Sequence, residues 1–276
     1  MERKPACSSD ANSDARRGER AGGTEYMEKD LTSGSVLKNI FTFSLPYLLS
    51  YFLQTLYGMA DLFIIGRFEG VASTTAVSIG SQVMHMITVI LVGVAMGTTV
   101  CIGRSVGAGD KKQAAKIIGN TVTLFMVGSV VLAAALVGLV GPIVRLISTP
   151  EEAVAGTTAY LIICFIGIPC ITAYNVLASI FRGMGDSRSP MYFIAAACVV
   201  NIGLDFFFMG ALHLGPAGAA LGTTLSQAVS VLLALCVILK RRSIRLSKSD
   251  FCPRKATMKD ILSIGLPVAA QDGFIQ

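Results

Sequence analysis

Charge is what this chain has little of: 14% of its 276 residues are Asp, Glu, Lys or Arg, against 53% hydrophobic. The shortage is local. Of the 40 charged residues, 13 lie in positions 1–30 and 10 in 240–260, leaving 16 between 31 and 239, plus Asp272. A water-facing helix or sheet surface cannot be built from so few charges, which excludes a soluble domain. Apolar stretches of about 20 residues or more read instead as bilayer-spanning helices, because hydrocarbon tolerates only segments that satisfy their own backbone hydrogen bonds. The expected fold is all-α: a polytopic membrane protein, with a six-helix transmembrane bundle and the start of a seventh helix.

Other absences narrow the chemistry. The seven cysteines, at 7, 101, 164, 170, 198, 236 and 252, lack metal-type pair spacing and read as free thiols acting as small hydrophobes. Residues 1–26 lack the apolar core of a signal peptide and read as a polar tail, with Met27 a candidate start. The glycine-rich stretch Gly103-Arg-Ser-Val-Gly-Ala-Gly-Asp110 lacks the Lys-Ser/Thr ending and preceding strand of a phosphate loop. No nucleophile and base fall at working spacing, so an enzyme has no support. The net charge of +6 sits in short segments between apolar runs, which marks membrane orientation and not nucleic-acid binding.

The apolar runs predict spans over 36–61, 72–102, 115–147, 154–180, 190–212 and 216–239, with a seventh from Lys259. This divides the chain into a tail (1–30), a six-span lobe (31–240), a basic linker (241–258) and the start of span 7 (259–276). Connections 2/3, 4/5 and 6/7 hold 14 Lys and Arg residues, Arg104, Arg182 and Arg188 among them, whereas the other three hold only Arg67 and Arg145. By the positive-inside rule the N-terminus is cytoplasmic, in a multi-pass protein of the cell membrane. The segment from Lys38 to Pro46 aligns without gaps on Lys259 to Pro267, sharing Lys, Ile, Leu and Pro. An even number of spans per copy relates two such copies by an axis along the membrane normal.

Two acids fall within the six spans, Asp61 and Asp205, and charge at membrane depth is expensive. Each follows a proline, Pro46 or Pro190, by 15 residues on an outward-running span, which places both carboxylates in the outer half. Thr223 and Thr224 on span 6 reach a similar depth. Asn201 and Asp205 are spaced i, i+4 on one helix face, and Gln54 lies two turns before Asp61. Two carboxylates with amide and hydroxyl oxygens nearby make a hard-cation site or equally a proton site; the competing reading is that Asp61 caps an interfacial helix end and Asp205 hydrogen-bonds across the bundle. Pro46 should kink or loosen span 1. His85 and His213 read as hydrogen-bonded filler, and the Met-rich stretch from Met84 to Met96 as helix packing.

Three segments, Phe181-Arg-Gly-Met-Gly-Asp-Ser-Arg-Ser-Pro-Met191, Gly103 to Asp110, and Gly215-Pro-Ala-Gly-Ala-Ala-Leu-Gly-Thr223, resemble signature segments of the multidrug and toxic compound extrusion (MATE) family, most closely its DinF-like branch. The resemblance runs over 31–276 and implies the N-terminal lobe of a twelve-span transporter, with the C-lobe missing. It also implies a cation- or proton-binding site at Asp61, Asn201, Asp205 and Thr223, which could take Na⁺ and has no other metal role. Gln54 and Asn175 would line the same cavity. The implied activity is efflux of organic, often cationic small molecules in exchange for H⁺ or Na⁺ by alternating access, without a cofactor. A lipid-linked oligosaccharide flippase of the same superfamily would need a cationic cavity, and no Lys or Arg falls well inside a predicted span. A non-transporting fragment is the other alternative.

Overall fold

The computed structural model describes residues 35–241 and 247–275; the polar tail at 1–30 and part of the basic linker lie outside them. Seven α-helices account for most of the described chain: α1 (Val36–Phe68), α2 (Val71–Gly107), α3 (Lys111–Leu146), α4 (Glu151–Gly183), α5 (Arg188–Asp205), α6 (Gly215–Arg241) and α7 (Lys255–Ile275). A π-helical turn, Phe206–Ala211, continues α5, and a short 3₁₀ turn, Lys248–Phe251, lies in the linker. Six helices are long and apolar enough to cross a membrane. The helices overrun the apolar runs at most ends, because polar residues extend a helix past the hydrocarbon without interrupting its hydrogen bonds. Asp61 consequently sits inside α1 with seven residues of helix beyond it, and caps nothing. α7 likewise starts at Lys255, four residues before the expected Lys259.

Two glycine-rich connections share one stop-and-restart device. After α2, the amide of Gly109 donates to Val106 O (2.9 Å) and that of Asp110 to Ser105 O (2.9 Å). Gly109, with φ +75°, takes the left-handed conformation that this C-terminal cap needs. The Asp110 carboxylate then accepts from the amide of Gln113 at 2.9 Å and opens α3. After α4 the pattern recurs: Gly185 (φ +86°) turns the chain, and Asp186 accepts from the amides of Arg188 (3.1 Å) and Ser189 (3.0 Å). Gly-x-Gly-Asp therefore reverses the chain in very few residues, which holds α2 against α3 and α4 against α5. Both turns lie at the end of the bundle that carries Arg104, Lys111 and Arg188, called here the basic end.

α4 is the most enclosed helix and has two apolar cores along its length. Toward the basic end, Ile102, Ile117, Phe181, Phe193 and Ile194 form one; toward the other end, Ile64, Ile65, Val77, Leu161, Phe165 and Met209 form the second. The switch between them falls at a polar waist on five helices: Gln54 to Asp61 on α1, His85 on α2, Thr172 and Asn175 on α4, Asn201 on α5, and Thr223 to Gln227 on α6. α1 is the least enclosed span, burying only Asp61, Ile64 and Ile65. It runs through Pro46 as a continuous helix, with the Ser50 hydroxyl donating to Pro46 O at 2.8 Å.

α7 lies against α2 with backbones almost touching. A side chain at Gly97 would run into the carbonyl of Ile261, one at Gly265 into that of Val94, and one at Gly93 into Ala269. Small residues permit this approach, as in other membrane helix pairs.

Candidate functional site

α1, α5 and α6 meet at the polar waist and bring four of the expected residues together. Asp61 is 3% exposed, and Asn201 and Asp205 are fully enclosed. The Thr223 hydroxyl donates to Asp61 Oδ2 at 3.3 Å, and the Asp61 side chain also lies beside those of Asp205 and Asn201. The i, i+4 spacing puts Asn201 and Asp205 on one face of α5, and Asp205 occupies the last α-helical position before the π-helical turn. That face is closed by Gly222 of α6: a Cβ there would overlap Asp205 Oδ1, so glycine lets the α6 backbone cover both side chains.

The hydrogen-bond inventory of this cluster is incomplete. Asp61 Oδ1, both carboxylate oxygens of Asp205, and Oδ1 and Nδ2 of Asn201 are buried with no well-formed hydrogen bond to a protein group outside the cluster; within it, Asp61 approaches Asp205 and Asn201 closely enough for a proton to be shared. The Thr224 hydroxyl and Gln227 Oε1 are likewise buried without a partner, and the Tyr57 hydroxyl stands near Ser226 and Thr223. Buried polar groups are normally satisfied, and orphaned carboxylate oxygens in an apolar bundle are costly. The donor set consists of two carboxylates, an amide oxygen and a hydroxyl, which suits a hard cation or a proton. Tyr57 was not legible as a member from chemistry alone, yet it stands four residues before Asp61, the spacing that shares a helix face.

A cavity of about 310 Å³ opens elsewhere at the waist. Gln54 and Asn175 line it, together with Tyr47 and Tyr51 of α1, His85 of α2, Tyr174 and Arg182 of α4, and Asp272 of α7. Asp61, Asn201, Asp205 and Thr223 are not on its wall. The sequence placed all six residues around one chamber; the structure separates a closed carboxylate cluster from an accessible cavity, with Tyr57 and Gly58 between Gln54 and Asp61. One further difference follows from helix length. Arg182, assigned to a connection, lies in the last turn of α4, and its guanidinium stands over the Tyr47 ring, 5.1 Å from the centroid. The cavity therefore does carry a cation. Asp272 lies well inside α7, beyond the six spans in which enclosed acids were sought. His85, read as filler, lies on the cavity wall.

A multi-pass helical bundle with polar side chains enclosed at mid-height describes a membrane protein built around a polar core. The protein-family comparison makes this specific: the MatE model matches residues 46–207, and the chain belongs to that family. Relatives include "Probable multidrug resistance protein YpnP" of Bacillus subtilis, 32% identical over 88% of this chain and 54% of the relative. "Probable multidrug resistance protein NorM" of Thermotoga maritima is 30% identical over 90% and 54%. Among solved structures, an outward-facing multidrug resistance MATE family transporter of the MOP superfamily superposes with a TM-score of 0.80 at 30% identity, covering 87% of this chain and 53% of that one. A MOP superfamily transporter from Pyrococcus furiosus, described as having a binding pocket of reverse polarity, gives 0.81 at 30% identity, covering 88% and 54%. The chain spans about half the length of the curated relatives it matches.

Proposed function

We propose that this chain provides one lobe of a secondary transporter that exports organic, often cationic compounds in exchange for H⁺ or Na⁺. In this reading Asp61, Asp205, Asn201 and Thr223 form the coupling site, and the cavity lined by Gln54 and Asn175 receives the cargo. The observation that carries it is the pair of enclosed carboxylates, side by side, with three of their four oxygens lacking a donor from the protein. Such oxygens are stable when a proton or cation occupies them, so a step that opens the site exchanges that ion with bulk water. Coupling then needs only that cargo occupancy and ion occupancy favour different states of the bundle. The names of the relatives support the multidrug cargo.

The test is Asp205→Asn in proteoliposomes with a trapped pH or Na⁺ indicator. The variant should insert normally and lose cargo-driven ion movement. Full exchange in the variant, or none in the unsubstituted protein, would overturn the proposal. Arg182 on the cavity wall favours a second reading, a carrier of phosphate-bearing lipid-linked oligosaccharide, in which exchange would not depend on Asp205. One guanidinium facing a cavity that also holds a carboxylate makes a poor phosphate site, so the first reading stands ahead.

A further inference from the structure

Resting on the reading of Asp61 and Asp205 as the coupling site, we propose that the π-helical turn Phe206–Ala211 is a register switch for that site. A shift of the turn by one step carries Asp205 out of the cluster and Phe206 off the end of α1 together. A π-helical turn holds one residue more than the α-helical turn it replaces, and such a surplus can travel along a helix, because each hydrogen bond it breaks is replaced by another. Here it begins at the residue after Asp205. The Leu212 amide donates to Phe207 O at 3.1 Å, five residues back, and the Leu214 amide donates to Phe208 O at 3.0 Å.

The inward side of α5 shows what the surplus does. Ala197, Asn201, Asp205 and Met209 are all buried, in steps of four residues. Four residues of α-helix turn through about 400°, so such a series drifts by about 40° at each step. Over the last step the wider turn rotates less than a full circle and returns Met209 to the side of Asp205. Met209 belongs to the same core as Ile64 and Ile65 of α1. Phe206 meets the Phe68 ring edge-on, with centroids 5.8 Å apart, and Gly210 faces the same ring, where a Cβ would stand 3.1 Å from Phe68 Cζ. Across the turn, Phe208 and Met209 close on Gly218 of α6. The turn therefore touches both helices that complete the cluster, on the side of Asp61 and Thr223 away from the basic end.

With a proton or cation in the site, Asp205 stays beside Asp61 and the surplus stays beyond it. Without one, two adjacent carboxylates repel each other in a weakly solvated place. Moving the surplus toward Asn201 turns the residues it passes by one position, about 100°. Asp205 and Phe206 are those residues, so the carboxylate leaves Asp61 as the ring leaves Phe68, and the site opens away from the basic end. Residues on either side of the moved segment do not rotate, so the rest of α5 keeps its packing.

The experiment is hydrogen exchange, read by mass spectrometry, on the chain in lipid nanodiscs and in alkaline, Na⁺-free buffer, which favours the empty site. Asp205→Asn, which cannot ionise, should hold the turn in place and slow exchange of the Phe206–Leu212 amides by about tenfold. Phe206→Ala should speed that exchange by a similar factor, while Phe207→Ala, at a side chain 53% exposed, should leave it unchanged. Deleting Phe207 removes the surplus, so exchange should be slow whether residue 205 is Asp or Asn. Equal rates in Asp205→Asn and the unsubstituted protein overturn the inference, and so do equal rates in Phe206→Ala and Phe207→Ala. If the deletion variant fails to insert, these point variants decide the matter; if it inserts and still responds to Asp205→Asn, the inference falls. Ion flux on the same variants separates the two proposals. A turn that responds to Asp205→Asn in a chain whose ion exchange does not would defeat the coupling proposal alone; a turn blind to Asp205→Asn in a chain that loses ion movement would defeat this inference alone.

Discussion

At the scale of single residues, the carboxylate cluster depends on one missing methyl group as much as on its acids. Gly222→Ala places a Cβ on Asp205 Oδ1, and a backbone held between two helices cannot retreat freely. The expected outcome is displacement of the Asp205 carboxylate, a stability loss of about 1–3 kcal/mol and loss of ion coupling comparable to Asp205→Asn. Gly203→Ala is the control, since nothing lies within 4 Å of a Cβ there, and alanine favours the helix by up to about 1 kcal/mol. Thermal denaturation and ion flux on both variants check this; equal behaviour of the two would mean that Gly222 has no special role. Thr223→Val should be milder, removing one hydrogen bond to Asp61 worth about 0.5–1.5 kcal/mol. The acids themselves were legible in the sequence because charge within an apolar run stands out. Gly222 was not, since a glycine one position before a threonine carries no sign that another helix's carboxylate rests on it.

At the scale of elements, the linker is fastened to α3. Asn120 is fully buried; its Nδ2 donates to Lys116 O (2.9 Å) and to Asp250 O (3.1 Å), and its Oδ1 accepts from the amide of Arg254 (2.6 Å). One helical turn on, the Thr123 hydroxyl donates to Phe251 O at 2.8 Å, and Gly119 leaves room for the Asp250 carbonyl. These contacts place the start of α7 and hence its approach to α2. Asn120→Leu removes the polar contacts of its side chain and leaves the Arg254 amide without that acceptor. Tryptic cleavage at Arg254 or Lys255 should accelerate by about tenfold, because proteolysis follows the population of the opened segment. An unchanged rate would show that the packing of α7 on α2 alone secures the linker. The six long helices were legible from apolar runs, since hydrocarbon thickness sets a minimum length. Their ends were not, because Lys, Glu and Arg extend a helix without adding hydropathy. Arg182 was counted in a loop for that reason.

At the scale of the whole molecule, the same side chains that would make a soluble protein aggregate cover the bundle. Val36, Phe41, Leu45, Phe63, Val131, Val199 and Leu239 are more than half exposed, as a lipid-facing surface requires. The structure arranges the helix ends so that Arg104, Lys111, Arg182, Arg188 and Lys240 gather at one end, with Arg67 and Arg145 at the other. A single orientation then minimises the number of basic residues carried across the membrane. If the basic end is cytoplasmic, the turns after α3 and α5 face outside and the turn after α2 faces inside. Ser148 and Leu212 are exposed in the first two, and Ala108 in the third. In a background with the seven native cysteines replaced by alanine, Ser148→Cys and Leu212→Cys should react with a membrane-impermeant maleimide on intact cells. Ala108→Cys should react only after permeabilisation. The inverse pattern would reverse the orientation and place Arg104, Arg182 and Arg188 on the external side.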